Sequence, residues 1–438
     1  MCRYYLLLIF NILSFSGFTQ TYWRVENERG EELLLTIHIN GANQTFETHT
    51  RKEALREMAG SMMYMLAKTA GKIKYPELMH GEGKISFQGD TTVYTGNIDY
   101  PDKIFTLKAK TWKDNFYGLL TDSKNKVTVL TGKKLGSDKP LKDYPSLIAS
   151  TFSLVEQFYW DSNLKKATEW QSYKQDLNEL KSKIADDYEL AMTMMWLGKK
   201  LNQVPHEIKK IRKNSVGTQP SKNNKVHYIN EKKGLLNLFN LPETSEEIHQ
   251  IFKEIADKNL EVLILEASGN RNLSLSSALS IANHVSTKPG NWGSFLTRKW
   301  AETGESIPMP ASYEQILKNP LDLSGFTTNI MTGKGFYLKT VPSSAVFKGK
   351  IYMVINKWSS NVAETLAIYL KNEKLATLVG QKSAGSPVLN HVFELDKQYF
   401  ITIPCAQFYD KNGKCFQGIG IEPDLPVEQN ALAYVLKL

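Results

Sequence analysis

The sequence predicts a protein of mixed α/β and α+β class, in which an α/β core follows a helical bundle and an N-terminal β-rich domain. Three observations predict this class. Short strands separated by turn residues fill the first third of the chain, and apolar residues then recur at helical spacing. From about residue 226 strands alternate with helices, which is typical of a mainly parallel sheet covered by helices.

The chain begins with a segment typical of an export signal. Arg3 precedes an apolar run, Leu6–Phe15, and small residues follow that run. We expect residues 1–19 to be removed on export to the periplasm or the exterior. No later stretch is apolar and long enough to predict a membrane span.

Residues 20–143 are predicted to form the β-rich domain. Leu33–Ile39 and five later runs between Lys84 and Leu130 have strand character, with turn residues between them. A helix over Lys52–Lys68 interrupts the strands and carries methionines at helical spacing. This stripe indicates packing against the sheet, and binding of a lipid or peptide is the alternative.

Residues 144–213 are predicted to form the helical bundle, which carries Trp170 and Tyr173 among its apolar positions. A basic run, Lys209–Lys213, stands at its end. This run indicates a solvated helix end, and an acidic partner or a membrane surface is the alternative.

Residues 214–438 are predicted to form the α/β core, after a polar linker over 214–224. Val262–Leu265 is an uninterrupted apolar run, as expected for a strand that is buried on both faces of a sheet. Cys405 and Cys415 flank a predicted hairpin whose turn places Cys415 opposite Asp410. The sequence therefore does not decide between a Cys405–Cys415 disulfide and two free thiols.

The composition and the motifs exclude several functional classes. The formal charge is +9, but no zinc knuckle, RNA-binding signature or helix-turn-helix motif predicts a nucleic-acid partner. No His, Asp or Glu cluster has the spacing of metal ligands, and no glycine loop has the form that cradles phosphates. We therefore expect neither a metal nor a cofactor.

One strand–turn–helix stretch, Ile351–Glu364, organises the core. Its turn holds Ser359, Ser360 and Asn361, at the place where a nucleophile elbow exposes its side chain. Serines before a helix are also common N-caps, which explains them without chemistry. A second strand then ends in a glycine loop, Gly380–Pro387.

Four motifs agree in order and spacing with one protein family. They are Leu263–Asn270, Asn361–Glu364, Thr377–Gly385 and Gly418–Asp424. From about Tyr144 to the C-terminus the chain resembles the tail-specific, or C-terminal processing, serine peptidases, in the branch without a PDZ domain. The resemblance implies a crotonase-like core and a polypeptide or protein as the ligand.

The resemblance also implies catalytic roles, but this chain has different residues at several of the family's catalytic positions. The family's nucleophilic serine falls on Asn361, whose side chain cannot form an acyl-enzyme. The lysine base of one branch falls on Ser386, whereas Lys382 matches a basic residue that is not the base. In the other branch the base would be His206, and the glutamate that orients it falls on Gln417, a neutral amide.

The loop that is expected to supply the oxyanion hole also differs from the family pattern. Where the family has paired glycines, which let an amide turn toward an oxyanion, this chain has Asn272 and Leu273. The residues expected to line the binding cleft are Gly269, Asn270, Asn272, Val362 and Gly385.

The sequence leaves three functional hypotheses. The first is an exported peptidase homologue that is catalytically impaired and binds polypeptide in the old cleft. The second is an active serine-type peptidase or hydrolase that uses Ser360, with His206 or Lys382 as base, in an elbow shifted by one residue. The third is a ligand-binding module that works through residues 20–143.

Overall fold

The computed structural model describes residues 18–49, 80–100, 103–201, 205–210, 226–239, 241, 244–320 and 323–438. The predicted helix over Lys52–Lys68, the predicted linker over 214–224 and the export signal up to residue 17 lie outside these ranges.

The N-terminal part is a closed antiparallel barrel of eight strands, in which each strand pairs with the next and the last pairs with the first. The strands are β1 Phe18–Asn27, β2 Glu32–Asn40, β3 Thr45–His49, β4 His80–Gln88, β5 Thr91–Tyr100, β6 Lys103–Trp112, β7 Asn115–Thr121 and β8 Val127–Leu135. Alternate residues point inward, and apolar side chains such as Trp23, Phe46 and Tyr94 fill the interior. The cavity that is left measures about 20 Å³, which is room for about one water molecule.

Three helices follow the barrel: α1 Tyr144–Phe158, α2 Thr168–Leu180 and α3 Asp187–Gly198. Asp143 and Asp186 cap the first and third helices, because their carboxylates accept backbone amides of the first turn. Trp170 stacks on Tyr173 in the helical core at a centroid distance of 5.5 Å, and both side chains are fully buried.

Two sheets form the core, one with six strands in the order β10-β11-β12-β15-β16-β19 and one with five strands that includes β9. The strands are β9 Glu207–Lys210, β10 His227–Tyr228, β11 Lys233–Asn237, β12 Val262–Glu266, β13 Gly290–Thr297, β14 Gly335–Thr340, β15 Lys350–Ile355, β16 Thr377–Gly380, β17 Val388–Glu394, β18 Tyr399–Asp410 and β19 Leu425–Pro426. The helices are α4 Ser245–Asp257, α5 Leu275–Val285, α6 Arg298–Ala301, α7 Tyr313–Ile316, α8 Leu323–Thr332, α9 Asn361–Asn372 and α10 Ala431–Lys437.

The six-stranded sheet is parallel from β11 to β19 and is buried on both faces. Leu263 and Leu265 pack into the large core with the helices, whereas Ile264 packs on the opposite face with Val435 of α10. Because β12 and β15 are parallel neighbours, their carboxyl ends lie side by side at one edge of the sheet. The predicted fold class is confirmed, and this sheet edge is where the candidate site is built.

The prediction that the basic run Lys209–Lys213 is a solvated helix end is wrong for Lys209 and Lys210, and the rest of the run lies outside the described residues. Glu207–Lys210 is strand β9 and pairs antiparallel with the start of β18. The side chain of Lys210 is only 8% exposed and forms ion pairs with Glu32 at 3.5 Å and with Asp187 at 3.1 Å. These acidic partners are distant in sequence, so the spacing of the lysines did not reveal them.

Lys210 belongs to a buried junction cluster that joins the barrel, the helices and the core. Its other members are Glu32 of β2, Lys142, Asp187 of α3 and Tyr399 of β18. Lys142 lies 2.9 Å from the Glu32 carboxylate and 3.0 Å from that of Asp187, and its ammonium donates to the Tyr399 hydroxyl. Burial opposes ionisation of Glu32 and Asp187, but hydrogen bonds and the two lysines outweigh it and lower the pKa of both carboxyls.

The hairpin after β18 differs slightly from the prediction, because Cys415 lies opposite Tyr409 and not opposite Asp410. Cys405 is buried, Cys415 is half-buried, and both are free thiols. Among the helices that the structure describes, none combines the length and apolar character needed to cross a bilayer.

Candidate functional site

The elbow connects β15 to α9 through a tight turn. The Ser359 amide donates to the Asn356 carbonyl at 2.9 Å, and the Trp358 amide donates to the Asn356 side-chain oxygen at 2.9 Å. Asn361 follows with a φ of +58°, in the left-handed region. Asparagine tolerates this region better than most residues, so the chain keeps the sharp turn of an elbow with an asparagine at its tip.

The two serines of the elbow have different roles. The Ser359 hydroxyl is fully buried, donates to the Ala267 carbonyl at 2.7 Å and accepts the Asn356 amide at 3.0 Å. Ser359 therefore ties the elbow to the end of β12. Ser360 occupies the N-cap position of α9, but its hydroxyl makes no cap hydrogen bond. Ser360 is therefore placed as an N-cap residue, but it lacks the hydrogen bond that makes serine favourable at that position.

Asn361 is held on both sides. Its amide donates to the Ser386 carbonyl at 2.9 Å, and its side-chain nitrogen donates to the Arg271 carbonyl at 2.9 Å. These bonds bring the elbow, the glycine loop and the loop after β12 together. Asn361 thus occupies the centre of the site, where its side chain serves as a structural bridge.

Glu364 stabilises the glycine loop through buried hydrogen bonds. Its buried carboxylate accepts the Ser383 hydroxyl, the Gly385 amide at 2.9 Å and the Ser386 amide at 2.8 Å. Burial raises the pKa of Glu364, although the three donors favour the ionised form. No role for Glu364 was predicted from the sequence, where the available signal was a carboxylate in the first turn of a largely apolar helix.

Gly385 marks a close approach between backbones in the site. Its φ is +71°, and a Cβ atom built there would lie 2.9 Å from the Gly420 nitrogen. The Gly418 amide donates to the Gly385 carbonyl at 2.7 Å. Only glycine fits this position, because both the conformation and the space exclude a side chain.

The loop after β12 is organised by the buried side chain of Asn270. Its oxygen accepts the amides of Asn272 at 2.9 Å and Leu273 at 3.0 Å, and its nitrogen donates to the Leu238 carbonyl at 2.7 Å. The amides of Asn272 and Leu273 are those that the resemblance assigns to the oxyanion hole. Both already have an acceptor within the protein, so neither is directed at an incoming oxyanion. Gly269 begins this loop with a φ of +77°.

The two candidate bases contact other residues than the elbow serine. The ring of His206 lies among aromatic side chains of α2, and its Nε2 is 3.5 Å from the Tyr173 hydroxyl. The ammonium of Lys382 is exposed and forms an ion pair with Glu422 at 2.9 Å. Neither contact is with Ser360.

The remaining predicted residues lie around the loops. Ser386 and Gly385 are in the braced loop, and half-buried Gln417 directly precedes Gly418 at its edge. The Val362 side chain is buried in the core, so this residue can offer only its backbone to a ligand. Within the described ranges, no group of three or more His, Cys, Asp and Glu side chains is placed to hold a metal ion.

Acid is expected to destabilise the protein through His206. Burial lowers the pKa of His206 to about 4, so the folded protein keeps the ring neutral at pH values where the unfolded chain, with a pKa near 6.5, takes up a proton. This residue is expected to remove about 2 kcal/mol of stability between about pH 7 and about pH 5. The loss starts as the pH falls below about 6.5 and is complete near pH 4.

Urea unfolding of the wild type and of His206→Gln at the two pH values measures this effect. The variant is expected to lose less stability on acidification than the wild type. His227→Gln, at an exposed position of β10, is the control and is expected to leave the pH dependence unchanged. Equal acid sensitivity in wild type and His206→Gln would contradict the assignment.

Residues 231–427, which include the elbow, the glycine loop and the loop after β12, match the sequence profile described as peptidase family S41. This part of the chain is similar to peptidase family S41. The family assignment agrees with the tail-specific peptidase resemblance, and the S41 domain contains every candidate site residue except His206.

Two relatives of this chain are processing proteases. The carboxy-terminal-processing protease of Bartonella bacilliformis is 33% identical over 79 residues, which is 18% of each chain. The carboxyl-terminal-processing protease of Synechocystis is 27% identical over 95 residues, which is 22% of each chain. The chain thus matches about a fifth of the length of these relatives.

Two solved structures are similar at low identity. A lipoprotein from Streptococcus agalactiae superposes with a TM-score of 0.45 at 14% identity, covering 68% of this chain and 96% of that one. The photosystem II D1 C-terminal processing protease superposes with a TM-score of 0.34 at 12% identity, covering 86% of this chain and 79% of that one.

Proposed function

We propose that this protein is an exported S41 peptidase homologue with impaired catalysis, whose former active-site cleft binds polypeptide. The observation that carries the proposal is Asn361, which stands at the tip of the elbow in a left-handed conformation and bridges two loops. An asparagine there supplies no nucleophilic oxygen. The apolar segment near the N-terminus supports export.

Three further contacts support impaired catalysis. Asn270 occupies the amides of Asn272 and Leu273, which leaves the expected oxyanion donors engaged. His206 contacts Tyr173, and Lys382 contacts Glu422, so neither is available to a nucleophile at the elbow. The nucleophile position, the oxyanion donors and the candidate bases all differ from the arrangement that catalysis requires. The hydrogen bonds that hold the loops around the cleft are nevertheless present.

One observation favours an active hydrolase as the second candidate. The Ser360 hydroxyl makes no cap hydrogen bond, so the N-cap role does not account for this serine. A nucleophilic serine also needs a base within hydrogen-bond reach, and the contacts of His206 and Lys382 do not supply one. We therefore rank this candidate below the impaired homologue. A ligand inside the barrel ranks lower still, because the cavity there measures only about 20 Å³.

A serine-reactive fluorophosphonate probe and an unfolded polypeptide substrate test the proposal. The wild type and Asn361→Ser are both expected to show no labelling and no cleavage, because restoring the hydroxyl restores neither base nor oxyanion donors. The same unfolded polypeptide is expected to bind the wild type, as measured by fluorescence anisotropy. An active S41 peptidase is the positive control for the probe and the substrate.

Two results would contradict this expectation. Labelling or cleavage by the wild type that is lost in Ser360→Ala establishes the second candidate. Failure of the unfolded polypeptide to bind a correctly folded protein removes the binding function.

A further inference from the structure

The turn before α9 displays an aromatic side chain between two cations at the rim of the cleft. The indole of Trp358 is 53% exposed. The Arg271 guanidinium lies 5.2 Å from its ring centroid, and the Lys357 ammonium lies 5.4 Å from it. Both distances are within the range of cation–π contacts. We call these three residues the rim cluster.

The backbone around the rim cluster is fixed by the same bonds that build the elbow. Asn356 holds the turn through its carbonyl and its side-chain oxygen, which places Lys357 and Trp358 at the exposed tip. The side chain of Asn361 binds the Arg271 carbonyl at 2.9 Å and so fixes the other loop. A surface that is held before binding loses less entropy when a ligand arrives.

The two cations of the rim cluster have no carboxylate partner among the described residues. The carboxylates of the surrounding loops contact other groups, and the second oxygen of Glu266 is buried without a hydrogen bond. Glu266 accepts the Ser268 amide at 2.7 Å, Glu364 holds the glycine loop, and Glu422 pairs with Lys382. The rim of the cleft is therefore positively charged without internal compensation, in a chain whose formal charge is +9.

The elbow adds hydrogen-bond donors beside these cations. The Ser360 hydroxyl makes no cap bond, although the residue is only 6% exposed. The Asn361 amide already donates to the Ser386 carbonyl at 2.9 Å, whereas the next amides of the 12-residue helix α9 have no intrahelical acceptor and form its positive end. Donors and cations of this kind suit a ligand that carries carboxylates.

We propose that the cleft selects acidic segments of polypeptide. Carboxylates of such a segment bind Arg271 and Lys357, and an apolar or aromatic side chain of the segment packs on Trp358. This inference rests on the proposed polypeptide-binding function and specifies its ligand class. Two cations, one on each of two adjoining loops, favour a short acidic peptide over nucleic acid, which engages a longer basic surface.

Three fluorescein-labelled peptides of identical length test the selection, in which Glu, Gln or Lys occupies every second position between apolar residues. The Glu peptide is expected to bind the full chain about tenfold more tightly than the Gln peptide at low ionic strength, and the Lys peptide more weakly still. The preference is expected to shrink as salt is added. Anisotropy titrations measure all three affinities.

Matched variants test which residues produce the preference for the acidic peptide. The double variant Arg271→Gln with Lys357→Gln is expected to reduce the Glu-over-Gln preference to within about twofold. Trp358→Ala is expected to weaken all three peptides by about fivefold without changing their order. Lys232→Gln is the control, because this exposed cation lies outside the candidate site and already pairs with Glu261 at 2.9 Å, and it is expected to keep the full preference.

The outcomes separate this inference from the proposed function. Equal binding of all three peptides overturns the selection and leaves polypeptide binding intact. A Glu preference that survives in the double variant also overturns it, as does tighter binding of single-stranded DNA than of the Glu peptide. If no peptide binds, both the inference and the proposed function fail.

Discussion

Replacing Asp187 by asparagine is expected to lower the free energy of unfolding by about 3–5 kcal/mol. Asp187 is the centre of the junction cluster, where its carboxylate faces Lys142 at 3.0 Å and Lys210 at 3.1 Å. It also accepts the hydroxyl of Tyr144 at 2.9 Å and that of Tyr399. Asparagine fills nearly the same space, but it leaves two buried lysines with Glu32 as their one remaining anion.

The consequence reaches beyond α3, because the cluster joins separate parts of the chain. The second carboxylate oxygen of Asp187 accepts the Glu32 amide of the barrel at 2.9 Å, and Asp186 accepts the Leu34 amide at 2.9 Å. We expect the variant to loosen the barrel from the core. Proteases should then cut the connection over residues 136–143 sooner than in the wild type.

Urea unfolding and limited proteolysis measure these two effects. Glu207→Gln is the control, because Glu207 forms an exposed pair with Lys209 at 2.8 Å, and it is expected to change stability by less than about 0.5 kcal/mol. Because the chain has several parts, transitions of barrel and core are followed by separate probes. An Asp187→Asn protein with wild-type unfolding and proteolysis would show that the cluster does not stabilise the junction.

Replacing Glu364 by alanine is expected to remove about 3–5 kcal/mol of stability and to abolish polypeptide binding at the cleft. The substitution leaves the Ser383 hydroxyl and the amides of Gly385 and Ser386 without their buried acceptor. An unsatisfied buried donor costs about 1–3 kcal/mol. The glycine loop then loses the brace that holds it against the elbow.

Thermal unfolding and peptide anisotropy measure the two parts of this prediction. Glu422→Ala is the control, since Glu422 is exposed and pairs with Lys382, and it is expected to change neither by much. Wild-type stability of Glu364→Ala would show that the glycine loop keeps its conformation without this carboxylate. Full peptide binding by the destabilised variant would mean that the loop does not shape the cleft.

Much of the site was predictable because it is local in sequence. The apolar strand, the polar turn and the following helix form one continuous stretch, which predicted the elbow, and the family resemblance assigned the nucleophile position in it to Asn361. Glycines mark close backbone approach in a recognisable way, and Gly385 is such a position. The parallel sheet was predictable from its uninterrupted apolar strands.

The contacts of the charged and polar side chains were not predictable, because their partners are remote in the chain. Lys210 was expected at a solvated helix end, yet it is buried against Glu32 and Asp187. Glu364 gave no sign that it braces a loop about twenty residues later. A pattern along the chain reports which face is apolar, but it does not report which distant group meets a buried charge.

Periodicity and turn residues are local properties, and they predicted the order of a β-rich domain, a helical bundle and an α/β core. The sequence also placed asparagine where the family carries its nucleophile. The tertiary structure alone decided that Asn270 occupies the loop amides, that His206 faces Tyr173 and that Arg271 lies over Trp358. These three facts depend on side chains that folding brings together, so only the packed chain assigns them.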